Sequence, residues 1–200
     1  MMKTSKILLT FALLGTLTVA NAQERLTSSE AKHYAQLTRQ NPSLLANAPL
    51  HVEADLEKAV AIAMDDLGGL LIPRIDLSEG SESDVGTEPI AIGELWLRNL
   101  TLEKNGWGIS SSQLNVVIVN TEEGRVRAPR CILAVSKTDD NKPVLMIYGK
   151  NEQPLLTLPL SKVQKHQAKP LDMVASDDGK VDLCINGQYQ ASFSVAELYL

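Results

Sequence analysis

Residues 186–195 read NGQYQASFSV, and this stretch decides how the chain is expected to fold. Asn186-Gly187 is typical of the two-residue turns that join antiparallel strands, because both positions accept the backbone that such turns need. After the turn, apolar residues occupy every second position: Tyr189, Ala191, Phe193 and Val195. A strand with this period buries one face and leaves the other in water. The stretch therefore predicts a hairpin that ends an antiparallel sheet.

The same period of two runs through the second half of the chain. Candidate strands are 91–104, 107–119, 125–136, 143–148, 154–160, 171–175, 180–185 and 188–196. Most connections between them are short and rich in turn formers, such as Asn105-Gly106, so successive strands are expected to pair as antiparallel neighbours. Residues 90–200 therefore predict an antiparallel β meander that forms a sandwich or a partly open barrel.

Two of these strands are apolar on both faces. They contain residues 114–119 and 144–148. A strand without a polar face is typical of the middle of a sheet that is covered on both sides. We therefore expect both at the centre of a sandwich or under a covering helix.

Helical patterns precede the meander, which makes the predicted fold class α+β. Residues 28–39 fit a helix that opens with a capping box from Thr27 to Glu30. Residues 52–67 fit a longer helix, because apolar residues recur every three or four positions and Gly68-Gly69 suits a helix end. This second helix is expected to cover the sheet.

The remaining N-terminal residues complete a predicted domain order. Residues 70–77 are expected to form one strand, so that 23–77 is a helical segment with one strand. Residues 78–89 are polar and acidic, which predicts a flexible linker or loop before the β domain.

Residues 1–22 have the features of a cleaved secretory signal peptide. A short cationic lead is followed by an apolar run over 7–19 and by Ala20-Asn21-Ala22, a small-x-small cleavage pattern. The apolar run is too short for a transmembrane anchor, which needs about 20 residues. We therefore expect a periplasmic or secreted protein that starts at Gln23.

The chain has two cysteines, Cys131 and Cys184. In an oxidising compartment such a pair is expected to form a disulfide, and two free thiols are the alternative.

The charge pattern argues against nucleic-acid binding. Residues 23–123 carry 7 basic and 16 acidic side chains, whereas 124–200 carry 10 basic and 8 acidic side chains. Nucleic acid needs a clustered cationic face, which an acidic first half does not provide.

Few motifs point to chemistry. The sequence has no Gly-x-Ser-x-Gly, and Ser29 and Lys32 match Ser-x-x-Lys without its partner motifs. The three histidines are far apart, so neither a metal site nor a cofactor is predicted. The candidate ligand contacts are two tryptophans that flank a predicted hairpin and a basic stretch that suits an acidic partner: Trp96, Trp107, Lys162, Lys165, His166 and Lys169.

These observations favour a non-catalytic binding or assembly protein that acts on a cell-envelope component or a partner protein. One alternative is a secreted hydrolase that uses two of the many carboxylates. The other rests on residues 187–199, whose alternation is similar to the last strand of chaperone–usher pilus subunits. This resemblance implies a surface or fimbrial subunit assembled by strand exchange, although Glu197 interrupts the apolar series.

Overall fold

The structure is a computed structural model and describes residues 24–40, 48–78, 86–122, 124–176 and 178–198. The predicted signal peptide and residues 79–85 of the predicted acidic linker lie outside these ranges. Within them the chain is mostly antiparallel β-sheet with one α-helix. None of the described helices is long and apolar enough to cross a membrane.

The N-terminal helix is confirmed. A short strand β1 (Glu24–Arg25) precedes helix α1 (Ser28–Leu37). The Thr27 side chain accepts a hydrogen bond from the Glu30 backbone N–H, and the Thr27 N–H donates to the Glu30 carboxylate at 2.8 Å. This capping box satisfies donors that the first helical turn leaves unpaired, so the helix begins where the sequence predicts.

The predicted helix over 52–67 is wrong. The structure has a single 3₁₀ turn at Leu56–Lys58, followed by strands β2 (Val60–Met64) and β3 (Leu67–Pro73). Asp65, with φ of 53°, turns the chain between the two strands. The apolar spacing misleads because the strands are buried on both faces: Val60 and Ile62 point to one side, and Ala59 and Ala61 to the other.

In the part of the chain that the structure describes, the larger sheet contains β1 to β3 and five later strands. These are β4 (Ile90–Arg98), β7 (Asn115–Thr121), β8 (Gly124–Lys137), β9 (Pro143–Tyr148) and β10 (Pro154–Pro159). Its order is β1-β2-β3-β4-β8-β9-β10, and β7 pairs with the first half of β8. All pairings are antiparallel.

Among the described residues, six strands form the smaller sheet, and several of them are short. These are β5 (Leu100–Lys104), β6 (Trp107–Gly108), β11 (Ser161–Lys162), β12 (Leu171–Ala175), β13 (Lys180–Ile185) and β14 (Tyr189–Glu197). Its order is β12-β13-β14-β5-β6, and β11 pairs with β14. The hairpin predicted at Asn186-Gly187 is confirmed, since both residues have positive φ and β13 pairs with β14.

The two sheets share one apolar core and do not close into a barrel. Leu71, Leu133 and Leu145 of the larger sheet are fully buried in the same cluster as Leu183 and Ile185 of the smaller sheet. The opposite face of the larger sheet is covered by α1 and by residues 48–59. The larger sheet is therefore buried on both faces over much of its area.

The prediction for the two doubly apolar strands holds for one of them. β9 lies between β8 and β10, as expected for residues 144–148. β7, which contains residues 115–119, pairs with β8 alone within the described residues and lies at an edge of the larger sheet. Its face toward α1 is buried at Val117 and Val119, whereas Ile118 on the other face is 39% exposed.

The predicted disulfide is absent: Cys131 and Cys184 are both buried free thiols. Cys131 lies in the core between the sheets, where burial raises the pKa of its thiol to about 12. Cys184 shares its strand face with Asp182, opposite to the face of Leu183 that enters this core. Since the two side chains point to different layers, they cannot approach each other as a disulfide requires.

Serine variants test this assignment. Cys131→Ser is expected to lower the free energy of unfolding by about 1–2 kcal/mol, because it places a hydroxyl among apolar side chains. Cys184→Ser should cost less than about 1 kcal/mol, and the double variant should show the sum because the sites are independent. Urea unfolding measures all three. Two single variants that each cost as much as the double variant would instead show a disulfide.

Candidate functional site

A buried ionic cluster lies on the face of the larger sheet that α1 covers. Glu94 is fully buried, and its carboxylate binds Arg130 Nη2 at 2.7 Å and Arg39 Nη2 at 2.8 Å. Trp96 Nε1 donates to the same carboxylate at 2.9 Å. Arg130 is opposite Trp96 in the β4–β8 ladder, and its guanidinium lies 6.0 Å from the centre of the indole ring. We call these four residues the Glu94 cluster.

The charge state of Glu94 follows from these contacts. Burial by itself would raise the pKa of this carboxyl, but the guanidiniums of Arg130 and Arg39 outweigh it, so the pKa lies below its ordinary value. Glu94 is therefore held as a carboxylate with its oxygens occupied. A general acid for hydrolysis needs the opposite, a carboxyl whose pKa is raised.

The cluster also positions α1. Arg39 follows the C-terminal end of the helix and reaches down to Glu94 in the sheet. Near the middle of α1, Lys32 pairs with Glu57 at 2.6 Å. Ala31 and Ala35 are buried against the sheet, and their small side chains let the helix approach it closely. The helix is thus tied down along one side.

Along its other side α1 covers a cavity of about 240 Å³, which we call the α1 cavity. The floor is shallow because small residues face the helix there: Ala61, Ala63, Gly68 and Ala128. Larger apolar side chains surround this depression: Leu70, Trp96, Val119 and Val126. Leu26, Tyr34 and Thr38 form the roof. The cavity exists because the ion pairs of Arg39 and Lys32 fix the distance of α1 from the sheet, and the sheet side chains below the helix are too small to fill that space.

The α1 cavity is suited to an apolar group. Its inner wall is buried and apolar, and polar side chains such as Asp65, Arg98 and Thr121 lie toward its opening. An apolar cavity of about 150 Å³ already stays dry and accepts benzene. The α1 cavity is larger, so it has room for a ring or for a short piece of an acyl chain.

A second apolar cavity, of about 170 Å³, lies between the two sheets. It adjoins the same β2–β3 hairpin, with Gly69 facing it and Gly68 facing the α1 cavity. Its walls come from both sheets and include Met173 and Phe193. Because it belongs to the core between the sheets, filling it is a matched control for filling the α1 cavity.

The two tryptophans predicted to contact ligand lie in different environments. Trp96 is 2% exposed and lines the α1 cavity. Trp107 is 79% exposed at the tip of the β5–β6 hairpin, directly after the left-handed turn residues Asn105 and Gly106. The structure therefore brings only Trp96 to the candidate site.

The predicted basic residues are partly brought together. Lys162, Lys165 and His166 line an open groove of about 860 Å³ together with the β13–β14 turn. Lys165 donates to Gln190 at 2.6 Å. Gly187 is required in this turn: its φ is 69°, and a Cβ there would lie 2.1 Å from the Lys165 carbonyl oxygen. The smaller sheet thus carries a positively charged groove whose shape is fixed by contacts between its own residues.

Lys169 is separated from the other predicted basic residues. Its Nζ donates to the Ala59 carbonyl, on the side where Arg25 pairs with Asp172 at 2.7 Å. Burial lowers the pKa of Lys169, and the nearby Arg25 charge lowers it further. Lys169 and Arg25 therefore connect the edges of the two sheets.

The α1 cavity was missed because its residues come from distant parts of the chain. Gly68 and the neighbouring Gly69 read as the end of a helix, and the cavity's alanines read as ordinary core residues. One available signal was Glu94, a single charge within the apolar run 90–97. A buried charge needs partners, so it marks a place where distant cations converge.

Within the described ranges no group of three His, Cys, Asp or Glu side chains is close enough to hold a metal ion. Comparison of the chain with protein families, with curated proteins and with solved structures finds no match.

Proposed function

We propose that this chain is an exported, non-catalytic binding protein that holds the apolar part of an amphipathic cell-envelope component in the α1 cavity. The observation that carries this proposal is an apolar cavity under a helix that is fixed by the Glu94 cluster. Export rests on the signal pattern in residues 1–22, which favours the periplasm or the exterior.

The lining of the cavity supports this ligand class. Alanine, valine, leucine and tryptophan side chains offer apolar surface, while the polar residues near the opening suit a hydrated head group. Each methylene buried there contributes about 0.8 kcal/mol, so five contribute about 4 kcal/mol. That energy corresponds to a dissociation constant of about 1 mM for the acyl chain of the ligand alone. Tighter binding therefore needs contacts to the head group as well.

Trp96 provides a direct test. In a Trp107→Phe variant, Trp96 is the one remaining tryptophan, so its fluorescence reports on the α1 cavity. We expect dodecanoic acid carrying bromine on its terminal carbon to quench this fluorescence in a saturable way, since bromine quenches on contact. Unlabelled dodecanoic acid should compete and restore the signal.

Two cavity-filling variants locate the binding site. Ala128→Phe, in the same Trp107→Phe background, fills the floor of the α1 cavity. It should raise the concentration of bromododecanoic acid needed for half-maximal quenching at least tenfold. Ala175→Leu fills the inter-sheet cavity instead and should leave quenching unchanged. Near-ultraviolet circular dichroism verifies that both variants fold. Equal quenching in Ala128→Phe and its parent would refute binding in the α1 cavity.

A further inference from the structure

One edge of β7 pairs with no strand of the described residues, and its composition is unusual for such an edge. Residues 115–121 read NVVIVNT, with no charge, proline or glycine. Ile118 is 39% exposed on this strand. Natural proteins usually protect such edges with charges, prolines, bulges or short strands, because open backbone groups recruit other strands.

The hydrogen-bond pattern shows which backbone groups face outward. Ile118 is opposite Arg127 in the β7–β8 ladder, and the Arg127 carbonyl accepts a hydrogen bond from Asn99 on the side away from β7. In an antiparallel ladder the N–H and C=O of one residue point the same way, and the direction alternates along the strand. Val116, Ile118 and Asn120 therefore direct their N–H and C=O groups to the open edge.

The other edges in the described part of the chain carry protection. β10 begins at Pro154 and ends at Pro159, and β1 and β6 have two residues each. β12 contains Asp172, which pairs with Arg25 from the other sheet. β7 combines length, apolar side chains and three open backbone positions, and it has none of these devices.

We infer that two copies of this chain form a dimer through β7. The β7 strand of one copy pairs antiparallel with the β7 strand of the other, around a two-fold axis at Ile118. A two-fold axis perpendicular to the sheet places Ile118 opposite its own copy, Val117 opposite Val119, and Val116 opposite Asn120. All open N–H and C=O groups of the three outward residues then find partners. Because β7 carries no charge, the pairing brings no like charges together along the strand. The pairing also covers the exposed Ile118. The edge of β7 is thus complementary to its own copy, as a two-fold interface requires.

Sedimentation velocity over a wide concentration range tests the assembly. The wild-type protein should be a dimer whose population grows with concentration. Ile118→Lys should be monomeric at every concentration, because two ammonium groups would meet on the axis. Val174→Lys is the matched control: Val174 is 59% exposed on another edge strand, so this variant should dimerise like the wild type.

A cysteine scan tests the register. Paired residues in hydrogen-bonded positions have Cα atoms about 5.5 Å apart, which a disulfide can span. Ile118→Cys should therefore cross-link to its own copy under mild oxidation, whereas Asn120→Cys and the wild type should not. A wild-type protein that stays monomeric, including one that captures only foreign strand peptides, overturns the proposal. So does a dimer that Ile118→Lys leaves intact. Ligand binding in the α1 cavity is measured separately and does not depend on this result.

Discussion

Glu94→Ala is expected to lower the free energy of unfolding by about 3–5 kcal/mol, because it removes the buried carboxylate that faces the buried Arg130 guanidinium. Arg130 is 4% exposed and forms an ion pair of 2.7 Å with Glu94. Trp96 would lose its hydrogen-bond acceptor at the same time. Urea unfolding, followed by circular dichroism, measures the loss.

Paired substitutions separate the energy of the ion pair from the cost of breaking it. Removing both charges in Glu94→Leu/Arg130→Met should recover much of the stability lost in Glu94→Ala, since apolar side chains often replace a buried pair at little cost. Arg39→Ala should be milder, because the Arg39 side chain is 25% exposed and water can replace part of its contact. If Glu94→Ala costs less than about 1 kcal/mol, the site admits water and the cluster is not a buried ion pair.

The same cluster gives stability a defined pH dependence. The pKa of Glu94 is lower in the folded protein than in the unfolded chain, where it is about 4.3. The stabilisation is therefore complete above that value, and it is lost as the pH falls through the folded-state pKa. The stability difference between wild type and Glu94→Gln should accordingly shrink below about pH 4. A difference that stays constant down to pH 2 would contradict the ionised state.

The cluster connects stability to the proposed binding function. Arg39 holds the C-terminal end of α1 to the sheet, and Tyr34 and Thr38 of the same region roof the α1 cavity. Breaking the Arg39–Glu94 ion pair should therefore allow the C-terminal end of α1 to move away from the sheet. A ligand would then have to pay for ordering the roof again, so its affinity would fall.

Local sequence signals predicted the parts of the fold that depend on a few neighbouring residues. The capping box at Thr27 and Glu30 marks the start of α1, because its bonds connect residues three apart. The left-handed turn at Asn186-Gly187 similarly determines the β13–β14 hairpin. In both cases the deciding interactions lie within one turn of chain.

Features that depend on distant residues could not be predicted in this way. Within residues 52–67, strand β2 alternates between two buried faces, and a strand buried on both sides has no period that distinguishes it from a helix. The position of β7 at an edge follows from β4 occupying the other side of β8. Likewise, the partners of Glu94 come from residues 39 and 130, which only the folded sheet brings together.

A second large effect is expected at Asn99, where the chain passes from one sheet to the other. The sequence predicted one strand over 91–104, but Asn99 has φ of 53° and separates β4 from β5. Its N–H donates to the Arg127 carbonyl at 3.0 Å, and its carbonyl accepts from the Leu198 N–H at 2.9 Å. Its side-chain amide donates to the Asp66 carbonyl at 3.0 Å. One residue thus connects both sheets and the β2–β3 turn.

Asn99→Val should lower the free energy of unfolding by about 2–3 kcal/mol. About 1–2 kcal/mol comes from forcing a β-branched residue into the left-handed region, and about 1 kcal/mol from the lost bond to Asp66. Asn99→Gly keeps the backbone conformation and should lose only about 1 kcal/mol, measured by the same urea titration. Asn141→Val is the matched control, because Asn141 has φ of 62° in an exposed turn. Valine at this position should therefore lose stability through backbone strain alone. If Asn99→Val costs no more than Asn141→Val, the side-chain bond does not stabilise the corner, and the change of sheet rests on backbone conformation alone.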